Sequence, residues 1–174
     1  DEVLIPEPCY VSYKACTTLA GGVPITVPTK QENEFRIKPA ELEPFITDKT
    51  TAIIIGYPNN PTGAIMELDD LLAIAKFAEK HDLIVISDEI YSELTYGDRD
   101  PICFASLPNM KSRTILLNGF SKAYAMTGWR LGFVTGPELI ISQMLKLHQY
   151  AIMCAPTTSQ YAGVEALRNG DDDI

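Results

Sequence analysis

Six apolar runs of strand length recur along the 174-residue chain, at residues 3–5, 24–27, 52–55, 83–87, 114–117 and 131–135. They constrain its fold more than any other feature. Most are continuously apolar instead of alternating, as strands buried on both faces are. Helical patterns lie between them. The clearest spans residues 68–81, with Leu68, Leu71, Leu72, Ala75 and Ala78 on one face. Its first turn holds Glu67, Asp69 and Asp70 and its last Lys76, Lys80 and His81, complementing the helix dipole. Pro39 opens a short helix, a third helix is expected over residues 137–149, and Gly21-Gly22 reads as a turn between a helix and the following strand. Strands alternating with helices predict an α/β fold in three layers, α/β/α, around a mostly parallel sheet.

Charge and cysteine content narrow the function. Fourteen basic against 23 acidic residues leave a net charge of −9, which disfavours a nucleic-acid partner because a phosphate backbone requires a basic face. No apolar stretch approaches the roughly 20 residues that span a bilayer, so no membrane partner is expected. Cys9, Cys16, Cys103 and Cys154 form no CxxC pair and have only His81 and His148 to assist, so no metal site is expected. Scattered thiols suit a reduced, cytoplasmic setting. Neither GxxxxGK[ST] nor GxGxxG occurs, which disfavours the common nucleotide sites. The Asp171-Asp172-Asp173 run reads as a solvated tail.

In parallel sheets ligands collect beyond the carboxyl ends of the strands. Three polar segments fall there: Tyr57-Pro58-Asn59-Asn60-Pro61-Thr62-Gly63, Asp88-Glu89-Ile90-Tyr91 and Gly119-Phe120-Ser121-Lys122. Each has an ordinary reading alone. The first is good turn chemistry, Asp88 could cap the next segment, Lys122 could be solvated, and Arg130 could stack on Trp129. Together they describe one chemistry. A lysine buried beside apolar strands condenses with a carbonyl as a Schiff base, and a carboxylate facing a pyridine nitrogen keeps that nitrogen protonated. A guanidinium with a neighbouring hydroxyl holds a phosphate.

These segments, with the third continued through Ala123-Tyr124-Ala125-Met126-Thr127-Gly128-Trp129-Arg130-Leu131-Gly132, resemble the class I/II aminotransferases of the aspartate aminotransferase superfamily, which are fold type I pyridoxal-phosphate enzymes. The spacings agree with that family: 28 residues from Asn60 to Asp88, 34 more to Lys122 and 8 more to Arg130. The resemblance implies a partial large domain of the pyridoxal-phosphate-dependent transferase type. It implies pyridoxal 5′-phosphate as cofactor, bound covalently by Lys122, the catalytic residue. It places Asp88 against the ring nitrogen, Asn60 and Tyr91 on the ring hydroxyl, and Ser121 with Arg130 on the phosphate. Tyr10 falls where the family stacks an aromatic on the ring, with core packing as its alternative.

One position departs from some members, which carry serine where this chain has Gly119. The resemblance further implies that residues 1–174 are the central part of the cofactor domain, without the upstream phosphate loop or the C-terminal small domain that clamps the substrate carboxylate. The fragment alone is then expected to be inactive. The absence of an initiator Met and a start inside a strand point the same way. The expected partners are an amino acid, a 2-oxo acid and a second subunit, as a homodimer. The alternatives are a carbon–sulfur lyase, which often has histidine where Tyr91 stands, and an aminotransferase-like effector domain of a transcription regulator, which tends to vary the first two segments.

Overall fold

The computed structural model describes residues 1–97 and 100–174. Each apolar run is a strand: β1 (Glu2–Glu7), β2 (Val23–Pro28), β3 (Thr50–Gly56), β4 (Ile84–Asp88), β5 (Thr114–Gly119) and β6 (Gly132–Thr135). They form one sheet in the order β2-β1-β3-β4-β5-β6. The first five are parallel, and β6 runs antiparallel to β5. Chain order reverses at β1, whose sequence neighbours β2 and β3 lie on opposite sides of it. Such a switch opens a crevice at the carboxyl ends of the strands.

The helices are α1 (Ser12–Leu19), α2 (Pro39–Leu42), α3 (Leu68–Lys80), α4 (Glu138–Ala151) and α5 (Thr157–Asn169). Helix α3 closes the main core, burying Leu71, Ile74, Ala75, Phe77 and Ala78 against Leu4, Ile53, Ile55 and Val85 of the sheet. Asp70 accepts the Glu67 backbone N–H at 3.2 Å and caps the first turn. The expected face holds at Leu71, Ala75 and Ala78, with Leu72 packed against the core, and is wider than expected. Leu68 is largely exposed because it precedes the first turn that meets the sheet, and Ile74 and Phe77 take the central contacts.

Helices α1 and α5 carry little apolar periodicity. The buried residues of α1 are Thr17 alone, and those of α5 are Ser159 and Gly163, so packing of small residues and not an apolar stripe holds them. Gly21, at φ +80°, makes the expected turn between α1 and β2. The Asp171–Asp173 segment is a short 3₁₀ turn, with Asp171 accepting the Tyr124 hydroxyl at 3.3 Å.

Strand β6 departs from the two-sided burial expected of it: all four of its residues are exposed. It lies at the margin of the sheet, and among the described residues α4 buries none of its side chains. Among the described residues, no helix is long and apolar enough to cross a membrane. All four cysteines are free.

Candidate active site

A cavity of about 350 Å³ lies at the carboxyl ends of the parallel strands. That volume falls within the roughly 300–1,000 Å³ of small-molecule sites. The first polar segment sends Asn60 to its wall, the second Asp88 and Tyr91, and the third Ser121, Lys122 and Arg130. Tyr10, from the connection between β1 and α1, completes the set. All seven residues singled out in the sequence therefore line one cavity.

The two asparagines divide their work. Asn59 builds the turn: its Oδ1 accepts the Thr62 hydroxyl at 2.8 Å and the Thr62 N–H at 3.2 Å, while its Nδ2 donates to the Gly56 carbonyl. Asn60 is left exposed on the cavity wall. The turn chemistry and the site are both present, on adjacent residues.

The Asp88-Glu89 doublet divides likewise, because successive side chains at a strand end point to opposite faces. Glu89 is buried and accepts the Ser87 hydroxyl at 2.8 Å and the Phe104 N–H at 2.9 Å. Burial, the largest influence, pushes its carboxyl above the usual range, against the pull of those hydrogen bonds. Asp88 faces the cavity. Its Oδ1 accepts the Ile90 N–H at 3.2 Å in a local turn, whereas the next helical segment, Ser92–Leu94, carries no side-chain cap, so Asp88 is not a helix cap. Its Oδ2 accepts the Tyr13 hydroxyl at 2.6 Å.

Lys122 is half-buried, not fully buried, and its Nζ lies 5.4 Å from the centroid of the Tyr91 ring. The loop after it is held by Thr127. That hydroxyl donates to the Ser121 carbonyl at 2.8 Å, and the Thr127 carbonyl accepts Arg130 Nη1 at 2.8 Å. Arg130 adopts φ +52°, a left-handed backbone that turns its side chain back over the loop toward the cavity. Its partner is thus the loop carbonyl. Tyr10 is 45% exposed, so it is not a core residue.

Sequence reading missed three polar wall residues: Tyr13, Asn118 and Thr127. Tyr13 follows the carboxyl end of β1, so the strand-end rule that located the other segments also pointed to it. Asn118 sits at the end of β5, with Nδ2 donating to Ser92 Oγ at 3.3 Å and Oδ1 accepting the Gly119 N–H at 2.7 Å. Thr127 lay inside the quoted third segment, without a signal of its own.

The family model described as aminotransferase class I and II matches residues 1–174. The chain belongs to that family. This class I/II family member is 53% identical over 169 residues to an aspartate aminotransferase of Pyrococcus abyssi, covering 97% of this chain and 43% of the relative. It is 50% identical to aromatic-amino-acid aminotransferase 2 of Thermococcus litoralis, with the same coverage of both chains. The solved aromatic aminotransferase of Pyrococcus horikoshii superposes with a TM-score of 0.96 at 49% identity, covering 99% of this chain and 48% of that one. The chain thus spans less than half the length of these relatives. The neighbours also bear out the expected partial α/β transferase architecture.

Proposed function

We propose that this chain is the central part of a cofactor domain that holds pyridoxal 5′-phosphate through Lys122. The full-length protein then transfers an amino group between an amino acid and a 2-oxo acid. The observation that carries this reading is the convergence of an amine, a carboxylate, an amide, phenols, a hydroxyl and a guanidinium on one cavity. That donor set supplies a partner for each of the cofactor's carbonyl, ring nitrogen, ring hydroxyl and phosphate.

When bound, the cofactor supplies an electron-withdrawing ring that lets a proton leave the substrate α-carbon. The remaining roles belong to this chain. Lys122 Nζ would hold the cofactor covalently and, once displaced by the incoming amine, would be the free base that takes and returns the α-proton. Asp88 would pair with the ring nitrogen and keep it protonated. Asn60 and Tyr91 would hold the ring hydroxyl, Tyr10 would stack on the ring, and Arg130 with Ser121 would grip the phosphate.

Relatives named for different amino acids match this segment nearly equally, at 53% and 50% identity. Assembly as a homodimer follows from the family resemblance. The free cysteines agree with a reducing, cytoplasmic setting.

Borohydride reduction of the cofactor-loaded full-length protein, followed by peptide mapping, tests the reading. The adduct is expected on Lys122. An adduct on Lys14, Lys111 or Lys146 overturns the assignment. A panel of amino donors on the same protein then tests the transfer.

A further inference from the structure

We infer that Tyr13 is a positioning residue that aims Asp88 into the cavity, and that position 56 is glycine so that the Tyr13 phenol can reach it. The inference rests on the cofactor reading above. Tyr13 stands in the first turn of α1, 75 residues from Asp88 in sequence, yet its hydroxyl donates to Asp88 Oδ2 at 2.6 Å. The Ile90 N–H occupies Oδ1. With one donor on each oxygen, the plane of the carboxylate is set before any ligand arrives, and such preorganisation is what a site needs to act without rearrangement.

The route of the phenol explains Gly56. Gly56 and Asp88 are register partners at the carboxyl ends of β3 and β4. A Cβ at position 56 would lie 2.5 Å from Tyr13 Oη and 3.4 Å from its Cζ. The hydroxyl passes over the bare glycine backbone to reach its neighbour in the ladder. The Tyr13 ring also meets the Tyr10 ring edge-on, with centroids 5.8 Å apart and planes at 79°. One side chain therefore braces two residues of the proposed cofactor site. Burial first, and the Asp88 charge second, push the phenol well above its ordinary range, so Tyr13 remains a donor throughout physiological pH.

A plain structural strut would also fill this space, and the test separates the two roles. Dissociation constants for pyridoxal phosphate are measured on the full-length protein and on its Tyr13→Phe, Asp88→Ala and doubly substituted variants. Tyr13→Phe keeps the ring and is expected to weaken binding about tenfold, the scale of one hydrogen bond to a charged group. In the Asp88→Ala background the same substitution is expected to cost nothing further. Gly56→Ala, with the hydroxyl intact, should reproduce the Tyr13→Phe loss, and its cofactor-free crystal structure should show Tyr13 Oη beyond hydrogen-bond range of Asp88.

Equal losses in both backgrounds make Tyr13 a strut and overturn the inference, as does an unchanged constant for Tyr13→Phe. A wild-type protein that takes up no cofactor, while its crystal structure keeps the Tyr13–Asp88 contact, sinks the cofactor reading and this inference with it. Cofactor uptake with an inert Tyr13→Phe sinks the inference alone.

Discussion

Glu89 shows how one buried side chain ties the site's surroundings to pH. Its carboxyl lies under the loop that carries Phe104 and is pushed above the usual range chiefly by burial. In the unfolded chain the group ionises near its ordinary 4.5, whereas in the folded chain it ionises at higher pH. Between those points the folded state holds a proton that the unfolded state has released. Stability is therefore greatest below the unfolded value and falls as pH rises through the folded one. Glu89→Gln removes the ionisation while its amide oxygen still accepts the Phe104 N–H. The loss of urea midpoint between pH 5 and pH 8 is expected to be smaller in Glu89→Gln than in the wild-type protein, and equal losses would show that Glu89 carries no such penalty. The doublets Asn59-Asn60 and Asp88-Glu89 make the complementary point. Residue type identified the amide and the carboxylate, but backbone geometry at the strand end selects which member faces the cavity.

Among the elements, the β5–β6 pair accounts for the one position where the chain departs from some family members. Gly119 sits opposite Gly132 in that antiparallel ladder. A Cβ at position 119 would stand 2.7 Å from Gly132 Cα and 3.0 Å from the Leu131 carbonyl oxygen, both of them backbone atoms that cannot swing aside. Gly119→Ser is therefore expected to lower stability by about 1–3 kcal/mol, the usual cost of overpacking. Thermal melts of the two proteins stripped of cofactor measure it, and an unchanged midpoint would mean that the ladder gives way freely. Strands and the helix α3 were legible because their apolar periodicity is written in consecutive residues. Helices α1 and α5 were legible only at their ends, before Gly21-Gly22 and before Gly170, since the residues they bury, Thr17, Ser159 and Gly163, have small side chains that leave no hydrophobic signature. The exposure of β6 was equally hidden, because an apolar run records that a strand seeks burial and not what covers it.

The whole molecule has a well-buried half around α3 and a bare half around β6 and α4. Leu139, Leu147, Tyr150 and Met153 are each at least 75% exposed, and Phe133 and Val134 of β6 lie open as well. These six large apolar side chains, left open within residues 133–153, point to an interaction face. Residues 1–174 expressed alone are accordingly expected to self-associate, with a weight-average sedimentation coefficient that climbs with concentration. A single monomer boundary at every concentration would contradict this. At the same scale the strand order β2-β1-β3-β4-β5-β6 brings the ends of β1, β3, β4 and β5 to one edge, where the cavity opens. Periodicity and turn chemistry sufficed to specify the six strands and the α/β class, because these are properties of residue type or short-range order, and the resemblance of three short segments to the family singled out the seven site residues. The tertiary structure alone decided that Tyr13 reaches Asp88 across Gly56, that Thr127 straps Arg130 to the loop after Lys122, and that β6 is left uncovered. Those outcomes depend on strand order, register and close approach between distant segments, which no local pattern encodes.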